Sequence, residues 1–141
     1  ICFNNASNSS GRIVLFLEEY CPLNNLTMPY DNPSLTWDDF MKPDIRTGTI
    51  LFAEAFPEAR KPAYKITIDF GEIGIKRTSA QVTGLYATDD LIGKQVVAVV
   101  NFPPKQIANF ISECLLLGAV DGNYVTLLTL DLPVRNGLRI G

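Results

Sequence analysis

The side chains in this sequence best equipped for chemistry are an amide, a hydroxyl and a set of cations: Asn101, Ser112, Lys105 and the pairs Arg60-Lys61 and Lys76-Arg77. Asn101, Lys105, Gln106, Ser112 and Glu113 fall within one stretch, VVNFPPKQIANFISECLLLGA (99–119), beside Phe102 and Phe110. Such a set binds rather than reacts. Amides and hydroxyls hydrogen-bond base edges, aromatic rings stack on bases splayed from an RNA loop, and cations meet phosphate. A plainer reading stands beside this one: Asn and Ser cap turns, and adjacent basic residues form a solvated strand edge. Histidine is absent, which removes the commonest general base and metal ligand and every Ser-His or Cys-His nucleophile. The carboxylate pairs Asp38-Asp39 and Asp89-Asp90 stand where acids favour a helix first turn, so they suggest no acid–base work. Gly71-Glu72-Ile73-Gly74-Ile75-Lys76-Arg77-Thr78 misses the spacing of a phosphate loop and reads as a hairpin turn. We therefore expect no catalytic residues, no metal and no cofactor.

Length and composition narrow the class. A chain of 141 residues holds one domain with a real core. A hydrophobic fraction of 47% with 19% charged residues is that of a folded soluble protein, and no apolar run approaches the ~20 residues that cross a bilayer. Net charge is −3. From Leu35 onward eleven Lys and Arg face twelve Asp and Glu, so any polyanion site has to be a local basic patch. Cys2, Cys21 and Cys114 are odd in number and form no CxxC pair, which suggests neither a disulfide framework nor a zinc site and fits a reducing cytoplasm. Cys114, beside Leu115-Leu116-Leu117, reads as a packed, inert thiol.

These residues need elements to hold them. Residues 1–34 are rich in Asn and Ser and carry a single short apolar run, Ile13–Leu17. They read as an N-terminal extension, non-native or disordered, with a domain from 35 to 141; read-through, a cloning remnant and a genuine extension all remain open. Thr36 is placed to cap a helical turn Trp37–Phe40 that Pro43 stops. A long strand over 44–55 follows, with Gly48 where a side chain would obstruct a bend or a close neighbour. Tyr64–Phe70 alternates, with Tyr64, Ile66, Ile68 and Phe70 on one face and Lys65, Thr67 and Asp69 on the other. Further strands are expected over 75–83, 95–101, 115–120 and 125–130, the last two joined at Asp121-Gly122-Asn123. Many short strands with turn signals and little helix predict an all-β fold, a small closed barrel.

Asp44-Ile45-Arg46-Thr47-Gly48-Thr49-Ile50, Ile68-Asp69-Phe70-Gly71-Glu72-Ile73-Gly74 and the 99–119 stretch together resemble the stand-alone tRNA-binding domain of the CsaA type, related to the C-terminal tRNA-binding appendage of methionyl-tRNA synthetases. The resemblance covers roughly 35–141. Phe56–Lys65 (FPEARKPAYK) and Leu91–Pro104 (LIGKQVVAVVNFPP) place the chain nearer to CsaA than to the synthetase appendages. It implies a five-stranded OB-fold barrel with short helical or extended additions at its ends, in which Arg60 and Lys61 occupy a loop used to grip nucleic acid. It also implies that Asn101 and Ser112 belong to the signature of the binding face; the longer appendages commonly have Gly-Met after this Ser where Glu113-Cys114 stand here. The expected function is tRNA binding through Arg60, Lys61, Lys76, Arg77, Asn101, Lys105 and Ser112, without enzymatic activity. A homodimer is expected as well, since Trp37, Phe40, Leu130, Leu132, Val134, Leu138 and Ile140 lie outside the strands. The family's chaperone role in protein export keeps a second reading open: a chaperone that binds unfolded preproteins or export machinery, with incidental affinity for RNA. A small hydrolase lacks a nucleophile with a base.

Overall fold

Strand β1 (Ile45–Ala55) is long enough to serve two neighbours, and the barrel is organised around that fact. Its first half pairs antiparallel with β4 (Gln95–Val99), in register Ile45 with Val99 and Thr49 with Gln95. Its second half pairs antiparallel with β2 (Tyr64–Asp69), Thr49 facing Asp69 and Ala55 facing Tyr64. A register shift between Ile50 and Phe52 marks a bulge at the change of partner, which adds the bend a curved sheet requires. Gly48 sits just before it. A Cβ there would come within 2.7 Å of the Ile68 side chain and 2.8 Å of the Phe70 ring, so the position is glycine because β2 packs directly against it.

The computed structural model describes residues 34–141, and those from Leu35 onward form one unit. The expected extension over 1–34 lies, but for Ser34, outside the described residues. Strand β3 (Ile75–Ala80) completes the sheet order β3-β2-β1-β4-β7, with β7 (Leu115–Leu116) on the far side of β4. This is a nearly closed five-stranded antiparallel barrel, consistent with the expected OB-fold. Its interior is filled by Ile50, Ile66, Ile68, Phe70, Val96, Ala98 and Leu91, all inaccessible to solvent, and the alternating strand sends its apolar row inward as expected. Two hairpins stand outside the sheet, β5 (Lys105–Ile107) with β6 (Phe110–Ser112), and β8 (Gly118–Asp121) with β9 (Tyr124–Leu127).

The short helices match their signals. Helix α1 (Trp37–Met41) is capped by Thr36, whose hydroxyl accepts the Asp39 N–H at 3.1 Å. Helix α2 (Thr88–Leu91) has Asp90 accepting the Ala87 N–H at 3.0 Å, and Leu91 drops into the core. Two expected strands change shape. The third ends at Ala80 rather than Thr83, because Val82 turns inward and its carbonyl takes the Leu85 and Tyr86 N–H groups. The expected strand 115–120 is split at Leu117, whose N–H bonds Val97 while its carbonyl accepts from Leu128. Its first piece therefore belongs to the barrel and its second to a hairpin. The stretch after Pro104, where no strand was expected, is a hairpin closed at Ala108, which adopts a left-handed φ of 49°.

A polar clasp docks the C-terminal segment on the barrel. The Asn136 carboxamide accepts from Thr49 at 2.8 Å and Gln95 at 3.3 Å and donates to Asp69 at 3.0 Å. The Thr47 hydroxyl donates to the Arg135 carbonyl and accepts the Leu138 N–H, each at 3.1 Å. Among the described residues no helix is long and apolar enough to cross a membrane.

Candidate nucleic-acid interface

The loop between β1 and β2 is stiffened at both ends by Pro57 and Pro62 and closed by the Phe56 N–H bonding the Ala63 carbonyl at 3.0 Å. Arg60 and Lys61 are exposed on it. Phe56 and Ala63 turn inward and meet Phe110 of β6 in a small buried cluster with Ala59 and Ile107. The two rings lie 5.6 Å apart at 58°, and Asn109 donates to Glu58 at 3.4 Å beside them. That cluster fastens the β1–β2 loop, which carries Arg60 and Lys61, to the β5–β6 hairpin, which begins at Lys105. Cations flank the ring pair. The Lys65 ammonium is 4.7 Å from the Phe56 centroid and the Arg77 guanidinium 5.5 Å from that of Phe110, a cation–ring–ring–cation row on the outer face of β2 and β3.

Alternation along β3 separates the expected pair Lys76-Arg77. Lys76 faces Ile68 and Arg77 faces Thr67; since Ile68 is in the core row, Arg77 projects outward and Lys76, half-buried, lies on the inward row. Lys65, which sequence reasoning placed on the polar face of its strand without assigning it a role, joins the patch instead. Its signal was there: it follows Arg60-Lys61 and shares its face with Thr67.

Asn101 and Ser112 are held in structural hydrogen bonds. The Asn101 carboxamide accepts the Asp44 N–H at 2.9 Å and donates to the Lys42 carbonyl at 2.8 Å, which continues the β1–β4 pairing beyond the Val100 N–H to Asp44 bond. The Ser112 hydroxyl, on the residue opposite Lys105, lies 3.2 Å from the Thr78 hydroxyl and donates to the Cys114 carbonyl at 3.3 Å. Glu113 clamps the β3 edge: its carboxylate accepts the Arg77 N–H at 3.0 Å and its own N–H donates to the Arg77 carbonyl at 2.7 Å. Phe102 stands exposed, whereas Phe110 is packed against Phe56, so of the two rings expected beside the polar set only Phe102 is open for stacking. Burial pushes the Cys114 thiol up to about 11, as befits an inert packed cysteine.

The profile of a family described as "Putative tRNA binding domain" matches residues 45–139. The chain belongs to this tRNA-binding domain family. Among solved structures it is similar to the chaperone CsaA of Bacillus anthracis, 49% identical with a TM-score of 0.75, and to the CsaA chaperone protein of Picrophilus torridus, 55% identical with a TM-score of 0.72; each comparison covers 77% of this chain and all of the other. The methionine–tRNA ligase of Methanosarcina acetivorans is 32% identical over 87% of this chain but only 16% of the ligase, and that of Thermococcus onnurineus 36% identical over 74% of this chain and 14% of the ligase. The chain thus spans about one-sixth of these curated relatives. Identity and coverage both place this member of the family nearer the CsaA chains than the ligases, as its Phe56–Lys65 and Leu91–Pro104 stretches implied.

Proposed function

We propose that this protein binds tRNA, as a binding protein with no catalytic step of its own. The observation that carries the reading is the Phe56–Phe110 cluster, which has Lys65 and Arg77 against its rings and joins the loop bearing Arg60 and Lys61 to the hairpin bearing Lys105, on a chain whose net charge is −3. A local cluster of cations on an acidic chain attracts a polyanion only where the cluster is. In this reading Arg60, Lys61, Arg77 and Lys105 neutralise phosphates, and exposed Phe102 offers a stacking surface. Lys76, half-buried on the inward row, contributes less. Asn101 and Ser112 act chiefly by holding the face in shape, with one amide N–H of Asn101 left to reach a base.

We further infer a homodimer in a reducing cytoplasm. Leu35, Trp37, Phe40, Met41, Leu132 and Val134 are exposed at the two ends of the described chain, apolar side chains that a two-fold contact would cover. A two-fold contact there would set two RNA faces in one assembly.

A second reading has its own support. A cleft of about 820 Å³ opens where β3 and β7 diverge, lined by Val82, Leu115, Val120 and Tyr124 together with Lys61 and Gln81. It could take an extended polypeptide, which suits the chaperone names of the CsaA neighbours and a role with unfolded preproteins or export machinery. Paired titrations of the full chain, with tRNA over a salt series and with an unfolded preprotein, separate the two readings. Salt-sensitive tRNA binding alone supports the first; preprotein binding with no tRNA affinity overturns it.

A further inference from the structure

At the far end of β2 from the basic loop, a second cleft of about 420 Å³ is built from the start of β1, the β2–β3 turn and the C-terminal segment. Three arginines line it, Arg46, Arg135 and Arg139, on a chain with twelve Lys and Arg in all. Arg46 and Arg139 stand directly opposite each other in an antiparallel bridge, an arrangement of like charges that costs stability unless an anion lies between or beside them. Asp44 answers part of it, accepting from Arg46 Nε at 2.6 Å. Each bridged arginine also donates once to main chain, Arg46 to the Gly137 carbonyl at 3.1 Å and Arg139 to that of Met41 at 2.8 Å. A guanidinium has five N–H donors, so both keep donors free. Arg135 is exposed and its side chain has no partner among the described residues. The other carboxylates near the cleft are Glu72, exposed on its lining, and Asp69, already engaged by the Gly71 N–H and Asn136.

We propose that this arginine cleft is a second phosphodiester site, which takes the backbone of the same RNA held by the outer basic face. The proposal rests on the tRNA-binding reading. An open cleft carrying both Glu72 and arginines holds a lone phosphate ion weakly, because exposed charges interact through high dielectric and are screened by salt. A strand already anchored at Arg60 and Lys61 meets it differently. The separation along β2 from Ala63 to Phe70 is at most about 23 Å at ~3.3 Å per residue, and a tethered phosphate arrives at a high effective concentration. The cleft thereby extends the contact beyond the loop and hairpin to a feature that only a long or folded RNA spans.

The test is tRNA binding by the full chain over a salt series, with Arg135→Gln, Glu72→Gln and the double variant Arg60→Gln/Lys61→Gln alongside. Arg135→Gln is expected to weaken binding about 3- to 10-fold at 0.1 M salt and to lower the slope of log K against log salt by about 0.7. Glu72→Gln, which removes the opposing charge, is expected to tighten binding. A wild-type chain with no affinity for tRNA overturns both this proposal and the reading beneath it. A wild-type chain that binds, with Arg60→Gln/Lys61→Gln lowering the slope but Arg135→Gln and Glu72→Gln changing nothing, overturns the cleft alone.

Discussion

Both ends of the Asn101 amide are occupied by main chain that leads into β1, so its loss is felt first in the fold. Asn101→Ala leaves the Asp44 N–H and the Lys42 carbonyl without their partner and is expected to cost about 1–2 kcal/mol of stability by urea denaturation. The salt slope for tRNA should stay near the wild-type value, since no phosphate contact is removed. Cys114 supplies a second test at this scale. Its thiol is raised from 9.0 to about 11, first by burial, so the folded state holds the proton more tightly than the unfolded one. The resulting stability is present below pH 9 and is lost as pH rises from 9 through about 11. Cys114→Ala should therefore leave unchanged the number of thiols that react with a disulfide reagent in the native protein at pH 8.

Strand β3 shows what an element adds to two adjacent residues. Because side chains alternate across it, Arg77 reaches the outer face and the Phe110 ring while Lys76 does not. Arg77→Ala is expected to lower the tRNA salt slope by about 0.7, and Lys76→Ala to lower it less. The C-terminal segment adds another test, since the Asn136 side chain reaches β1, β2 and β4 at once. Asn136→Ala leaves Thr49, Gln95 and Asp69 short of a partner, at an expected cost of about 1–3 kcal/mol in denaturant. Binding by the outer basic face should survive wherever the variant is folded.

At the scale of the molecule, the barrel from Leu35 onward contains its own buried core, and a fragment of residues 35–141 is expected to melt within a few degrees of the full chain. Loss of many degrees would show that the preceding residues dock on it. Sedimentation at micromolar concentration should find a dimer, and Trp37→Glu with Leu132→Glu should yield a monomer, as charges placed on an apolar contact oppose its burial. With two-fold symmetry, dissociation should weaken binding of a tRNA that spans both faces more than that of a short RNA.

Periodicity and turn chemistry in the sequence determined the long first strand, the alternating face of Tyr64–Phe70, the Thr36 cap and the Gly122-Asn123 hairpin, because each is set by neighbours a few residues away. The motifs around Asp44, Asp69 and Asn101 determined the family for a related reason: they mark places where the backbone itself is constrained. Three-dimensional pairing decided the rest. Leu115–Val120 reads as one strand, yet Leu117 hydrogen-bonds Val97 on one side and Leu128 on the other, and no local pattern records that division. Lys76 and Arg77 look like a pair until the register with Ile68 and Thr67 assigns them to opposite faces. Asn101 and Ser112 carry donors and acceptors in any conformation, but only the folded chain brings Lys42, Asp44 and Thr78 to them. The arginine cleft depends on residues 46, 135 and 139, about ninety positions apart in sequence, and such a site exists only where the closing of the barrel lays the chain's end against its first strand.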